Sequence, residues 1–155
     1  MLQIRVQHEP FDIAAEQEAL YRGQPKVGAL VTFVGLTRQI SEDRSIEHLQ
    51  LEHYPGMTER ALTEIAESAS ARWRLDGVTV IHRVGTLEPQ DPIVFVGVTS
   101  RHRDAAFRAC EFLIDYLKTK APFWKKEIGP AGEHWVAARD SDDLAARRWD
   151  DTPAA

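Results

Sequence analysis

The chain has one cysteine, Cys110, in 155 residues. A single thiol excludes an intrachain disulfide and a cysteine-built zinc site, and it suits a reducing compartment. Long apolar runs are missing too. Nothing approaches the ~20 residues that span a bilayer, and Met1-Leu2-Gln3-Ile4-Arg5 does not open a signal segment, so a cytoplasmic location without membrane contact is expected. There is no basic excess: the net charge is −5, which argues against a nucleic-acid binder and requires any basic site to be local. No G-x-G-x-x-G, P-loop or G-x-S-x-G occurs, and His48, His82 and His134 lack ligand spacing of the H-E-x-x-H kind. Common nucleotide and hydrolase chemistries are thereby removed, and neither a catalytic metal nor a cofactor is expected.

What is present suits one globular core. Apolar residues make up 43% and charged residues 28%, which predicts a single domain over residues 1–150 followed by a short flexible tail, 151–155. Leu2, Ile4 and Val6 alternate with polar residues as in a half-buried strand. Asp12 is placed to cap a helix from Ile13 to Tyr21. Gly28 to Gly35 is apolar on both parities and reads as a strand covered on both faces, followed by a polar, mobile segment from Leu36 to Ser45. Ile46 to His53 returns to period two. Ala61, Leu62, Ile65, Ala69 and Trp73 then recur at helical spacing. Val78 to Val84 and Ile93 to Val98 form an antiparallel pair, and Asp104 to Lys120 is a second long helix with Phe107, Cys110, Leu113, Ile114 and Leu117 inward, stopped by Ala121-Pro122. A hairpin, Trp124 to Ile128 with His134 to Ala137, and a short helix, Asp140 to Trp149, complete an α+β pattern.

Three clusters carry chemistry. Tyr116 to Glu127 threads four lysines through aromatics at the stopped helix. Lys118 borders the buried stripe, so desolvation and the like charge of Lys125 would depress its amine and free it to act as base or nucleophile. Composition alone leaves an ordinary solvated helix end, complementing the helix dipole, as the default for these lysines. Ser100-Arg101-His102-Arg103-Asp104 at a strand-to-helix junction offers free N–H groups and guanidinium forks to an anion, or else a helix capped by Asp104 with arginines in water. Arg38 is a lone loop arginine, a residue type usually just exposed. His53 and Tyr54 read as structural. Cys110 lies in an apolar stripe and reads as a small core residue.

Leu51-Glu52-His53-Tyr54-Pro55-Gly56-Met57-Thr58, Val80 to Gly85, Val94 to Val98 and Asp115 to Glu127 together resemble, in order, the large, catalytic subunit of molybdopterin synthase, over about Gly28 to Trp149. Four motifs in register are far more specific than any one cluster. The resemblance implies an α/β hammerhead-type fold and a homodimer that binds a small ubiquitin-like sulfur carrier at each end, giving a heterotetramer. It also implies a sulfurtransferase activity, from the carrier's C-terminal thiocarboxylate to cyclic pyranopterin monophosphate, building the dithiolene of molybdopterin. Residue by residue it implies Lys118 and Lys125 as catalytic. Arg38, His102 and Arg103 would bind the anionic precursor, Lys126 and Glu127 would line it, Phe33 would form an apolar wall, and Arg139 would reach in from a neighbouring subunit. On this reading Lys118 is the low-pKa amine that shuttles protons or receives the carrier's acyl group, and Lys125 stabilises developing negative charge. Leu36 stands where the family often has a basic residue, and Gln39 to Ser45 matches weakly. The alternative is a non-catalytic docking module for the carrier.

Overall fold

The computed structural model describes residues 1–136 and 140–150, which form two four-stranded sheets, a small hairpin and four helices. The first sheet has β1 (Leu2–Gln7) parallel to β6 (Gly77–Arg83), then β8 (Pro92–Ser100) and β2 (Ala29–Leu36), each antiparallel to its neighbour. The β6–β8 pair is the one expected from sequence. Both central strands are buried almost throughout, because helices cover both faces of the sheet. On one face α1 (Ile13–Tyr21), capped by Asp12 Oδ1 accepting from the Ala15 N–H at 3.0 Å, packs Leu20 against Ile81 and Phe95. On the other lie α2 (Met57–Arg72), α3 (Arg103–Lys120) and α4 (Asp140–Arg147); Leu62, Ala69, Phe112 and Leu113, with Trp149 in the turn after α4, meet Val80, Val96 and Val98. Removing a side chain such as Leu113, 1% exposed, costs about 2–5 kcal/mol because the cavity does not fully close.

The second sheet is antiparallel throughout. It runs β10 (Gly132–Val136), β9 (Phe123–Gly129), β5 (His48–His53), β7 (Gly85–Leu87). The β9–β10 hairpin was expected, whereas β7, three residues inside the β6–β8 connection, is too short to show a period. The segment expected to be only polar and mobile holds a hairpin of β3 (Ile40–Ser41) and β4 (Arg44–Ser45), turned at Glu42 and Asp43 with positive φ.

Two expectations are corrected. The strand read as covered on both faces is β2, which lies at the sheet edge and leaves Phe33 and Leu36 exposed. An apolar run fits an edge strand as well as a central one. Phe107, placed in the core stripe of α3, is 60% exposed. Ala106 takes the inward position instead. No helix among the described residues is long and apolar enough to cross a membrane. Residues 151–155 and Arg139 lie outside the described residues.

Candidate active site

Helix α3 sets the scale of the site. It leaves β8 at Ser100 and returns across β8 and β2, with Cys110 at its middle over the Val96 carbonyl. His102 and Arg103 therefore sit at the end of β2 marked by Ala29, and Lys118 near the end marked by Leu36. Gly28 permits the tight corner at Arg101: a Cβ there would lie 2.3 Å from the Arg101 carbonyl oxygen. His102 is the N-cap of α3 with no side-chain capping bond, and Asp104 turns instead to Arg108 at 3.1 Å. The first-turn N–H groups are thus left without a side-chain cap beside two exposed basic side chains, the arrangement that accepts an anion.

At the other end the Ala121-Pro122 stop folds the chain into β9, which brings Lys125 back to Lys118. Period two then divides the strand. Phe123, Lys125 and Glu127 share one face, opposite His53, Leu51 and Leu49 of β5. Lys126 points to the other face, held by Glu133 at 3.4 Å and lying 5.2 Å from the Trp135 ring centroid, so the structure does not bring it to Lys125. Glu127 is buried and faces Arg44 at 3.5 Å. Arg38 follows Thr37, whose backbone is clamped to the turn before β8 by Thr37 N–H to the Asp91 carbonyl at 2.9 Å and Gln90 N–H to the Thr37 carbonyl at 2.8 Å. Arg38 leaves that clamped turn exposed, near enough for its charge to act on Lys125. Phe33 lies on the α3 side of β2, opposite Val96 and between the two ends.

The depressed amine is that of Lys125, lowered from 10.5 to about 8. Burial is the main cause, followed by the charge of Lys118 and a hydrogen bond with it; Arg38 adds to the effect and the carboxylate of Asp142 on α4 opposes it. Lys118, expected to be the desolvated one, is exposed at the helix end. Neighbouring Leu117 is buried, but successive helix residues point about 100° apart, so adjacency to a core residue does not carry a side chain inward.

Two residues of the site were not legible in the sequence. His82 is buried on β6, its ring stacked on Phe123 with centroids 3.8 Å apart, and its Nδ1 donates to the Arg83 carbonyl at 2.8 Å. Burial lowers it to about 3 despite that bond, and Lys125 and Lys118 push it the same way, so it is a neutral wall beside two lysines. Asp142 is the other. A groove of about 460 Å³ between α2 and α3 is lined by residues such as Glu64, Arg72, Tyr116 and Lys120, and includes neither Lys118 nor Lys125. The chemistry belongs with the lysines, where a perturbed amine and convergent charges meet. No metal-holding group of three or more His, Cys, Asp or Glu occurs among the described residues. Cys110 is buried, its thiol pushed up to about 12 by burial, as expected of a core cysteine.

The model of the family described as MoaE protein matches residues 6–120. The "Molybdopterin synthase catalytic subunit" of Vibrio cholerae is 53% identical over 147 residues, covering 95% of this chain and 97% of that protein. A solved structure described as the molybdopterin biosynthesis MoaE protein from Burkholderia ambifaria superposes with a TM-score of 0.83 at 51% identity, covering 97% of this chain and 99% of the other. The fold also matches a chain in a complex of subunits 1 and 2 of molybdopterin-converting factor from Helicobacter pylori, with a TM-score of 0.70 at 20% identity and coverage of 89% and 91%.

Proposed function

The chain belongs to the MoaE family of molybdopterin synthase catalytic subunits, and on that premise we propose that it transfers sulfur from the C-terminal thiocarboxylate of a small ubiquitin-like carrier to cyclic pyranopterin monophosphate, forming the dithiolene. The observation that carries the reading is the Lys118–Lys125 pair facing Arg38. Donor and acceptor are both anionic, so they approach only where cations neutralise them. Lys118, exposed at the end of α3, is placed to receive the carrier's tail, and Arg38 to fork onto a phosphate. Lys125, with its amine at about 8, is roughly one-tenth neutral at pH 7 and suits proton transfer. These roles exchange those expected for the two lysines, since burial acts on Lys125. Glu127, locked to Arg44, shapes the floor, and Lys126 acts from outside the pocket.

A single copy does not complete this site. From Arg103 to Lys118 is fifteen residues of helix, about 22 Å at 1.5 Å per residue. The alongside strand, from Ala29 to Leu36, gives about 23 Å at ~3.3 Å per residue. His102 and Arg103 therefore serve the lysines of a second copy, and the exposed Phe33, Leu36 and Phe107 between the two ends supply the apolar surface on which the copies meet. Arg139 belongs to the same shared site. With one carrier per lysine pair the assembly is a heterotetramer, working in a reducing cytoplasm that suits the lone buried thiol.

The test is to incubate the purified chain with thiocarboxylated carrier and the pyranopterin precursor and look for the dithiolene. Product, lost in Lys125→Ala, supports the reading. Tail binding without product would support a docking module.

A further inference from the structure

The β3–β4 hairpin brings a charge to the pocket that the reaction as described does not use. Its base is fastened to β9. Ile46 N–H donates to the Gln39 carbonyl at 2.8 Å and closes the hairpin, and Glu47 N–H donates to the Ile128 carbonyl at 2.8 Å. Gly129 completes the seam, since a Cβ there would lie 2.1 Å from the Ser45 carbonyl oxygen. The register, Ile40 opposite Ser45 and Ser41 opposite Arg44, then sorts the side chains by face. Ile40 and Ser45 are exposed, whereas Ser41 and Arg44 are partly buried on the side that buries Ile46. An arginine on a short surface hairpin ordinarily extends into water. Arg44 turns inward instead, its Nη2 3.5 Å from Glu127 Oε1 and 3.9 Å from Oε2 of the exposed Glu42.

We propose that Arg44 is a positioning residue of the sulfur-transfer pocket, whose guanidinium cancels the buried carboxylate of Glu127 and so keeps the face that carries Lys125 open to anionic substrates. The inference rests on the reading of the lysine pair as the reacting centre. Glu127 is 7% exposed and stands two residues from Lys125 on one face of β9, about 7 Å along the strand. Across the ladders it meets Leu49 of β5, which has nothing to donate, and His134 of β10, whose Nε2 has no partner. Among the described residues the contact with Arg44 is the only ion pair or hydrogen bond of the Glu127 side chain. Without it the carboxylate would act against the reaction in two ways. It would repel the thiocarboxylate and the phosphate, and it would draw the Lys125 ammonium to itself in competition with them. Arg44 makes no hydrogen bond among the described residues, so it works by charge and not as a bidentate fork.

Turnover kinetics of the full chain with carrier and precursor, above neutral pH where a lone carboxylate is ionised, test the charge. In Arg44→Gln the KM for the precursor should rise about tenfold with kcat changed little. Arg44→Lys keeps the charge and should keep most of the affinity. Adding Glu127→Gln to Arg44→Gln should bring KM back down, because the charge to be cancelled is gone. A double variant no better than Arg44→Gln would mean that the arginine pins the hairpin or touches substrate itself, and would overturn the proposal. An unchanged KM in Arg44→Gln would overturn it too. Arg44→Met, which keeps the apolar stem, serves as the second neutral variant should glutamine disturb the fold. A readout without substrate is the titration of Lys125 by side-chain NMR, with Lys125→Arg identifying the signal. Its midpoint, about 8, should rise by about one pH unit in Arg44→Gln and return in the double variant. A midpoint that stays put or falls in Arg44→Gln overturns the proposal. Because this titration needs no turnover, a wild-type chain that makes no dithiolene would sink the reaction assignment and leave the Arg44 result readable.

Discussion

If His102 and Arg103 of one copy serve the lysines of another, two inactive variants should rescue each other. Lys118→Ala/Lys125→Ala keeps the anion cradle, and His102→Ala/Arg103→Ala keeps the lysines. Each alone should lose roughly 10²-fold or more in turnover, the scale set by removing charge-stabilising groups from a reacting centre. The reason for expecting rescue is distance. About 22 Å of helix separates the two clusters within a chain, whereas an extended arginine side chain reaches only roughly 7 Å from its Cα. In a mixed dimer one site collects all four lesions and the other collects none. Equal amounts reassorting at random make half the dimers mixed, each with one of two sites intact, so about a quarter of wild-type turnover should return. Co-expressing the variants with different tags and purifying the doubly tagged dimer should raise this to about half.

The assay is dithiolene formation with thiocarboxylated carrier, compared with each parent at the same concentration. A doubly tagged dimer no more active than its parents would refute the shared site and force both clusters into one chain. Phe107→Asp supplies a second arm. Phe107 is one turn beyond Arg103 and exposed, so the substitution disturbs no core packing, yet it places a charge on the proposed contact face. That variant should sediment as a monomer and lose turnover although both lysines remain. A dimeric Phe107→Asp would place the interface elsewhere.

Two further predictions follow from buried titrating groups. Lys125 is held at about 8 in the fold against 10.5 ordinarily, so between those values the unfolded chain binds more protons and stability rises with pH. Below pH 8 the full cost is present, at most about 3 kcal/mol. Lys125→Met should therefore raise the urea midpoint at pH 7, with an advantage that shrinks toward pH 10.5, while abolishing turnover; a less stable variant at pH 7 contradicts this. His82 is lowered to about 3 from 6.5, so the unfolded chain again binds more protons between these values, and stability should fall as pH drops from 6.5 toward 3. His82→Phe retains a ring against Phe123 and should show a shallower acid loss in denaturation curves; coincident slopes would refute the assignment.

The sequence exposed most elements because their periods were long enough to count. Ile13 to Tyr21 with its Asp12 cap, the β6–β8 pair and the β9–β10 hairpin all stand where expected. What it hid was the partner of each apolar face. Gly28 to Gly35 reads alike in the centre and at the edge of a sheet, and only the strand order made β2 an edge with Phe33 exposed. The site was legible as residue types but not as distances. A helix written as one string in sequence puts its two clusters at opposite ends in space. His82 was passed over because one histidine without ligand spacing carries no signal; its stack on Phe123 comes from β5 and β9 pairing beside β6. Asp142 likewise showed nothing before α4 was seen to run back along α3.

The different environments of Lys118 and Lys125 follow from the elements that carry them. A lysine at a helix end meets solvent on most sides, and Lys118 does. A lysine inside a strand is committed by the pleat to one face, and Lys125 is pinned between β5 and β10 with Phe123 and Glu127 as neighbours on that face. The stop at Ala121-Pro122 joins these environments within a few residues, so one short segment delivers a solvent-facing lysine and a desolvated, titrating amine to the same spot. Joining an anionic sulfur donor to an anionic phosphate ester needs both, because neutralising charge and moving a proton make opposite demands on an amine's pKa. Two lysines on one helix face would have shared an environment and met only one of those demands.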